Sequence, residues 1–401
     1  MPWWELSAME QREELVRLAL MPGSNKSELF QRFGVSSSNG HKWLRRYLLE
    51  GPSGLAERSR RPHSSPNRTS PEMEAQVLSL RDRHPAWGGR KLQRRLLDQG
   101  VSGVPSPGTI TEILRRNGRL ASAAADQHRA FQRFERAQPN ELWQMDFKGH
   151  FAMAQDRCHP LGVLDDHSRY LVGLDACGDE REQTVRDRLT AVFHRYGLPE
   201  AMLMDNGSPW GDAGGQCWTA LTVWLLRLGI WVSHGRPYHP QTQGKQERLH
   251  RTLKAELLQG RNLRDLDDCQ RAFDAWRPIY NHERPHQALG LATPASRYRP
   301  SRRSLPQVLP AIEYGAGDQV RRVDRDGFIS FRNRPWRVGK PFRGQPVALR
   351  ATLQDGVFSL HFCAHRIGMV DLRNGTADAC GLVDNAAALP TTPQAQLQQQ
   401  E

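Results

Sequence analysis

Three acidic residues, Asp146, Asp205 and Glu247, stand in local sequences that suit the ligands of a metal ion. Asp146 lies within an apolar, strand-like run, where a carboxylate is costly to bury unless a cation meets it. Asp205 ends a second apolar run and precedes Asn206-Gly207, a turn signal that places the carboxylate at the mouth of a strand, and Glu247 begins a long helical pattern. Two Mg²⁺ ions held ~3.5–4 Å apart by carboxylates can stabilise the attacking and leaving oxygens of a phosphodiester. Together the three acids therefore predict chemistry that cuts and joins DNA.

Each of these acids also has an ordinary structural interpretation. An Asp at a strand end or a Glu on a helix is commonly exposed, so a single one is more often solvated surface than a ligand. The pair Asp165-Asp166 competes for the same role, because it too ends an apolar run. We rank this pair second, since His167-Ser168-Arg169 is typical of a hairpin turn in which either acid can accept bonds from turn amides or pair with Arg169.

The residues around the acids form an ordered set of motifs between residues 140 and 296. The set comprises WQMDFKG around Asp146, LDDHSRY, MDNGSP around Asp205, YHPQTQGKQERLHRTLK around Glu247, and YNHERPHQAL further along the chain. It resembles the catalytic core of insertion-sequence transposases and retroviral-type integrases, and the three acids match the acidic triad of that family. The interval from Asp205 to Glu247 is longer than the family's usual one, which places extra residues in the Gly-rich stretch 210–215.

The resemblance implies a ribonuclease-H-like fold, two Mg²⁺ ions with Mn²⁺ as a substitute, and hydrolysis of DNA followed by transesterification. Asp146, Asp205 and Glu247 are then both the catalytic residues and the metal ligands. The resemblance also places Gln243 in a flexible loop near the scissile strand. Further candidates for DNA contact lie beside it: Tyr238, His239 and Gln241.

The hydrophobic pattern of this region independently indicates a mixed α/β core. Strand-like runs occupy 142–151, 161–166, 170–176 and 201–205, and helix-like patterns occupy 182–196 and 217–229. On the helix that begins near Glu247, Arg251 and Lys254 follow at i+4 and i+7, so the acid and two cations share one face. The alternative is a surface ion pair, but beside a phosphodiester site the two cations favour neutralising the backbone of a bound DNA end.

Composition points to a polyanionic partner. The 401 residues include 56 Lys and Arg against 43 Asp and Glu, a formal charge of +13. No apolar run approaches the ~20 residues that span a bilayer, and the first residues lack a secretory core. We therefore expect no membrane partner and a cytoplasmic protein associated with the bacterial nucleoid. Six cysteines without C-x-x-C spacing argue for reduced thiols and against a structural zinc site.

The first 50 residues predict a helix-turn-helix domain. Helix-period patterns at 9–21 and 26–33 precede a turn and a third basic helix over 39–47. The small core is predicted to contain Phe30, Val35, Trp43 and Leu44. The candidates for DNA contact in the major groove are Asn39, His41, Lys42 and Arg45. A small helical interaction domain with a basic surface is the alternative.

A basic linker at 51–70 leads to a second predicted helix-turn-helix domain at 71–120. Its helices are expected at 71–84, at 90–97 with Arg90 and Lys91, and after Ser106-Pro107, an N-cap and first-turn proline. The third helix carries Arg115. We predict that Arg90, Lys91 and Arg115 contact DNA, mostly adding salt-dependent affinity.

The predicted fold is therefore multidomain. All-α helix-turn-helix units come first, an α/β ribonuclease-H-like core spans 138–300, and short alternating segments at 314–375 indicate a small β-barrel with a basic, DNA-binding face. A solvated charged face is the alternative for the barrel. The stretch 384–401, rich in Ala, Gln, Pro and Thr, is predicted to be disordered.

The combined hypothesis is a DDE transposase that binds the terminal inverted repeats of an insertion sequence and joins them to target DNA. Joining two ends in one complex calls for at least a dimer. One alternative is a non-catalytic DNA-binding regulator derived from such an element. The other is a ribonuclease-H-like nuclease that cuts without joining, and the products distinguish the two reactions.

Overall fold

A computed structural model of the chain describes residues 7–58, 68–120, 135–205, 207–211, 218–234 and 244–378. The chain divides into two compact units, Met1–Arg68 and Thr69–Glu401. Among the described residues, no helix has the length and apolar character that crossing a bilayer requires. The predicted tail at 384–401 lies outside these residues, as do positions 212–217.

The first unit is a three-helix domain made of α1 (Ala8–Ala19), α2 (Lys26–Arg32) and α3 (Ser37–Glu50). Each helix begins at a polar N-cap whose side chain accepts from a backbone amide of the first turn, as Ser36 does from Asn39. Phe30, Trp43 and Leu44 are buried in its core, as predicted. A Cβ on Gly40 would lie 2.2 Å from the Phe30 ring, so this glycine lets α3 pack closely on α2. The predicted helix-turn-helix domain is present.

The second unit begins with another three-helix domain, α4 (Pro71–Arg83), α5 (Gly89–Asp98) and α6 (Pro107–Arg116). Ser106 caps α6 by accepting from the Thr109 amide at 3.2 Å, as the sequence predicts. A Cβ on Gly89 would lie 2.4 Å from the Pro107 carbonyl oxygen, so α5 and α6 meet through backbone. An apolar cluster that includes Trp87, Leu92 and Ile110 holds the three helices together.

A mixed sheet forms the centre of the second unit. Its strands are β1 (Trp143–Phe147), β2 (Phe151–Ala152), β3 (Arg157–Asp165), β4 (Leu171–Cys177), β5 (Ala201–Met204) and β6 (Trp231–His234). β3 pairs antiparallel with β1 and β4, and β2 pairs with its start. β5 is parallel to β1 and to β6, which gives the order β4-β3-β1-β5-β6. β1 is therefore the central strand of this order.

Four helices accompany the sheet. They are α7 (Glu182–Tyr196), α8 (Ala220–Arg227), α9 (Gly244–Leu253) and α10 (Leu266–Pro278). α9 continues into a π turn at Lys254–Leu258, and α10 into another at Ile279–Glu283. Apolar side chains of α7 and α8 pack with those of β1 and β5, and α9 and α10 pack with β3 and β4.

Helix α9 lies directly against β1 and β3. Gln246 is 1% exposed and donates to the Gln144 carbonyl oxygen at 2.7 Å. A Cβ on Gly162 would lie 3.3 Å from Leu249 Cδ2 and 3.4 Å from Gln246 Oε1, so the absent side chain is what lets the helix approach. Lys245 donates to the Asp166 carboxylate beside the turn after β3. These contacts fix the first turn of α9 over the centre of the sheet.

The chain after the core returns to the amino-terminal ends of β5 and β6. The Arg303 guanidinium donates to the carbonyl oxygens of Pro199, Leu228 and Gly229 at 2.6, 3.0 and 2.9 Å. Three backbone carbonyls thus converge on one planar cation, whose donors form a fixed fork. The segment is thereby anchored to the loops that precede both strands.

Seven short strands follow. They are β7 (Gln319–Arg322), β8 (Phe328–Phe331), β9 (Arg334–Arg337), β10 (Pro346–Ala351), β11 (Val357–Phe362), β12 (His365–Asp371) and β13 (Thr376–Asp378). Five of them form an antiparallel sheet in the order β13-β12-β11-β10-β7, and β8 and β9 form a hairpin. Phe342 meets Trp218 edge to face at 5.6 Å, so this region shares apolar contacts with the core. Closure into a small barrel stays a prediction.

We expect Gly162→Val to destabilise the second unit by about 1–3 kcal/mol, because the added methyl groups meet Leu249 and Gln246 under α9. Valine favours strands, so a loss cannot come from strand propensity. Urea unfolding measures the change. Gly244→Ala, where a Cβ meets no atom within 4 Å, is the matched control and should cost nothing. Equal stability of Gly162→Val and the parent protein would contradict the close approach of α9.

Candidate active site

Four strands of the sheet end at one edge. β1, β4, β5 and β6 run in the same direction, because β1 and β4 both oppose β3, while β5 and β6 are parallel to β1. Their carboxyl ends carry or precede Asp146, Glu180, Asp205 and His234. In an open α/β sheet this edge is where ligands bind.

Asp146 is the most perturbed acid of this edge. Its side chain is 19% exposed, and it lies opposite Gly162 in the β1–β3 register. Burial, together with the charges of Asp205, Glu180 and Glu247, raises its pKa to about 7 against the lowering effect of a bond from the Phe147 amide. A cation near such a carboxylate would stabilise its ionised form.

Asp205 stands directly after β5. Burial raises its pKa, while a bond from the Gly207 amide, 3.1 Å from Oδ1, lowers it. His234 Nδ1 lies 2.9 Å from the Asp205 carbonyl oxygen, so the end of β6 holds the backbone that carries this acid. The predicted position of Asp205 at a strand mouth, next to Asp146, is what the structure has.

Glu247 comes from the first turn of α9 and is exposed. Its charge acts on Asp146, so α9 brings it to the same edge. Within the described part of the chain, no group of three His, Cys, Asp or Glu side chains is arranged as a metal site. The donor chemistry nevertheless fits Mg²⁺, since three carboxylates supply hard oxygen ligands and their mutual repulsion raises the pKa of Asp146.

Sequence reasoning missed two groups at this edge. His250, one helical turn after Glu247, has Nδ1 3.9 Å from Asp146 Oδ2. Burial and the nearby Lys148 lower the His250 pKa to about 4, so the ring is neutral at pH 7 and the contact is not an ion pair. The i+3 spacing from Glu247 could have indicated it. Glu180 is the second group that was missed. Because β4 runs in the same direction as β1, a residue that follows β4 could have been expected at this edge.

The competing pair Asp165-Asp166 has a structural role. Asp165 is fully buried and accepts from the backbone amides of Asn140 and Ser168 at 2.7 and 2.8 Å. Asp166 accepts from the Gln144 amide group and from Lys245. The turn-amide interpretation of Asp165 is confirmed. Arg169 pairs with Glu135 instead of either acid.

The candidates for DNA contact divide by exposure. Those with exposed side chains are Asn39, His41, Lys42, Arg45, Arg90, Arg115, Arg251 and Lys254. Lys91 is different, because its ammonium lies 3.8 Å from Glu256 of the core with 22% of the side chain exposed. A DNA contact by Lys91 would require that pair to open. Gln243, Tyr238, His239 and Gln241 lie outside the described residues.

Five overlapping or separate stretches of the chain match known families. Residues 136–240 and 228–294 match the family described as "Integrase core domain". Residues 11–63 match "Helix-turn-helix domain" and 39–114 match "Homeodomain-like domain". Residues 318–378 match "IS481 family transposase, C-terminal domain". The matches cover the regions that hold the three acids and both three-helix domains.

Relatives in two bacteria are proteins of insertion elements. The "Putative transposase for insertion sequence element IS5376" of Geobacillus stearothermophilus is 22% identical over 213 residues, 51% of this chain and 51% of that protein. The 39.2 kDa protein of insertion element IS476 of Xanthomonas euvesicatoria is 24% identical over 61% of this chain and 69% of its own length. The chain thus spans only about half the length of the first relative.

A solved structure titled as a simian T-cell lymphotropic virus intasome, in complex with a PP2A regulatory subunit, is similar over 71% of this chain and 91% of its own. Its identity to this chain is 15% and the TM-score is 0.38.

We expect Asp146→Asn to gain stability over the parent protein as pH rises, in the absence of divalent cations. The folded pKa is raised to about 7, so the contribution of Asp146 to folding is present below pH ~4 and is lost as pH rises through 7. The relative gain between pH 4 and 8 is at most about 4 kcal/mol. Urea unfolding with a chelator across this range measures it.

Asp179→Asn is the control with the opposite sign. A bond from the Thr184 hydroxyl lowers the Asp179 pKa, so any pH-dependent effect of this variant is confined to values below about 4. A constant difference between Asp146→Asn and the parent from pH 4 to 8 would show that Asp146 is not perturbed.

Proposed function

We propose that this chain, a member of the insertion-sequence transposases that carry an integrase core, binds terminal inverted repeats and joins them to target DNA. One observation supports the proposal. Asp146 and Asp205 lie at the ends of neighbouring parallel strands, and the charges of Asp205 and Glu247 both act on the buried Asp146 carboxylate. Placing acids this close together makes ionisation of each carboxylate less favourable unless a cation offsets the repulsion.

In this proposal Asp146, Asp205 and Glu247 hold two Mg²⁺ ions, or Mn²⁺ as a substitute. Such a pair of cations stabilises the attacking and leaving oxygens of a phosphodiester. In the first step water forms a bond to phosphorus, and the broken P–O bond leaves a 3′-hydroxyl on the element. In the second step that 3′-oxygen attacks a target phosphodiester. One P–O ester bond forms as another breaks, so joining needs no nucleotide cofactor.

Cationic side chains beside the acids would hold the DNA backbone. Arg251 is exposed on α9 and Lys254 at the start of the π turn that follows it. The lowered pKa of Lys148, caused by burial and by the charge of Lys254, supports a concentration of positive charge there. Neutral His250 packs beside Asp146 without adding charge to the site. Phosphates are the natural counterions of such a surface.

Recognition of the ends falls to the three-helix domains. Asn39, His41, Lys42 and Arg45 are exposed on α3, the helix that follows the turn in the first domain. Arg90 and Arg115 are exposed in the second. The strands after 314, which we propose close into a small barrel, add the exposed Arg325, Arg332 and Arg337 as a further DNA contact.

Joining two ends in one event also requires at least two copies of the chain on DNA. Such a protein would act at the nucleoid, where both its ends and its target lie.

We expect the parent protein to join labelled inverted-repeat ends to a supercoiled plasmid with Mg²⁺ or Mn²⁺. Glu247→Gln, Asp146→Asn and Asp205→Asn should each lose joining by at least about a hundredfold while retaining end binding, since each removes a charged ligand at constant shape. Gel analysis of joined products and a mobility-shift assay measure the two properties.

Asp267→Asn, an exposed acid in the first turn of α10, is the matched control and should join normally. Joining by Glu247→Gln at the parent rate would refute the role of Glu247. Cut ends without joined product would point to a nuclease, and specific end binding without either reaction would point to a regulator.

We expect Arg45→Ala to weaken binding to terminal repeats and to reduce the slope of log affinity against log salt by about 1, because one phosphate contact releases about one counterion. Arg17→Ala is the control, since Arg17 is paired with Glu14 on α1. Binding titrations at several salt concentrations measure both. Identical curves for Arg45→Ala and the parent would remove α3 from the proposed interface.

A further inference from the structure

Helix α5 of the second three-helix domain faces the catalytic core with two of its cations. Arg95 donates to Glu283 Oε2 at 2.7 Å, and Lys91 Nζ lies 3.8 Å from Glu256 Oε1. Glu283 ends the π turn after α10, and Glu256 lies in the π turn after α9. Ile279 packs against the apolar cluster of the three-helix domain. We call the two ion pairs the α5 latch.

On the core side of the latch, Glu256 is held in place by other core residues. Glu256 is 8% exposed and accepts from Arg284 Nε at 2.8 Å, and Arg284 also donates to the Thr252 hydroxyl at 3.4 Å. Glu256 and Thr252 lie one turn apart after Glu247. The helix that carries Glu247 is therefore the one that receives Lys91.

The surroundings of Lys91 lower its pKa. Burial and the charges of Arg284 and Arg248 lower its pKa to about 8, against the attraction of Glu256. A partly buried ammonium group has lost much of its solvent and is stabilised in its charged form by the Glu256 carboxylate.

Helix α6 of the same domain keeps exposed side chains. On α6, Thr109, Glu112, Arg115 and Arg116 are exposed, and α6 is the last helix of the three. In a helix-turn-helix domain the last helix of the motif contacts base edges while the preceding one crosses nearby. Docking through α5 thus leaves the expected recognition helix available for DNA.

We propose that the α5 latch is a positioning device: α5 docks the second three-helix domain on the catalytic core, so that the bases contacted by α6 lie at a set distance from Asp146. The inference rests on the proposed function, because a set distance matters only if the core cuts what α6 binds. It also assigns Lys91 to docking instead of DNA contact. Arg95, Glu283, Lys91 and Glu256 are positioning residues and touch no reacting atom.

The consequence is a fixed cleavage position. With the domain docked, the distance from the bases that α6 contacts to Asp146 is fixed, so one phosphodiester is presented to the acids. With the latch open, the domain keeps the apolar contact of Ile279 but loses the two ion pairs that fix its orientation, and several neighbouring phosphodiesters can reach the site.

The test uses the full chain and one ion pair of the latch. Arg95 and Glu283 are partly exposed, with 20% and 38% of their side chains accessible, so their reversal spares the core of each domain. Arg95→Glu places two carboxylates together, and Arg95→Glu combined with Glu283→Arg restores opposite charges. Arg94→Glu is the matched control, since Arg94 pairs with Asp98 inside α5.

Hydrogen exchange followed by mass spectrometry gives a readout that needs no activity. We expect amides of α5 and of the turn Ile279–Glu283 to exchange about fivefold faster in Arg95→Glu, and to recover in the swapped pair. Amides of α6 serve as the check that the domain stays folded. Unchanged exchange in Arg95→Glu, or acceleration by Arg94→Glu to the same extent, would overturn the latch.

Mapping of the cleaved phosphodiester on labelled repeat ends tests the positioning role. We expect one main position for the parent and the swapped pair, and several neighbouring positions for Arg95→Glu at unchanged end affinity. A single position in all variants, despite faster exchange, would overturn positioning while leaving docking in place. Absence of cutting by the parent would overturn the proposed function and positioning together, and the exchange result would still decide the latch.

Discussion

The seating of α9 on the centre of the sheet is the constraint on which the catalytic edge depends. Three carboxylates repel one another, so nothing in their own chemistry brings them together. Contacts nearby hold them: Gln246 donates to the backbone of β1, Lys245 pairs with Asp166, and Gly162 has no Cβ that would keep the helix away. The raised pKa of Asp146 reflects its burial under this packing and, to a smaller extent, the charges of the acids around it.

The same helix has three different environments along its circumference. Gln246, Leu249 and Leu253 face the sheet and are buried. Glu247 faces the edge with the other acids, and the turn that follows α9 carries Glu256 towards Lys91. Because these positions belong to one rigid element, a displacement of α9 would alter the acidic edge and the docking contact together. The buried Asp166, which holds Lys245 at the start of the helix, therefore influences both from a distance.

Much of this arrangement could be predicted from local sequence, because strand ends and helix caps depend on neighbouring residues. Asp146, Asp205 and the Ser106 cap are examples, and so is the structural alternative for Asp165. Strand β6 was not predicted, since four residues beside a turn give too short a pattern. His250 and Glu180 depend on how strands and helices meet, and the docking of Lys91 depends on which side of α5 another domain covers. A basic helix looks the same in sequence whether a carboxylate or a phosphate pairs with it.

The Arg303 anchor and the three acids lie at opposite ends of the parallel strands. Its guanidinium fastens the chain to loops at the amino ends of β5 and β6, whereas the acids stand at the carboxyl ends. Whatever follows residue 303 therefore departs from the side of the sheet remote from the acids. A change in the strands beyond residue 303 is therefore expected to reach the acidic edge through apolar contacts such as that of Phe342 with Trp218, and not through the Arg303 anchor.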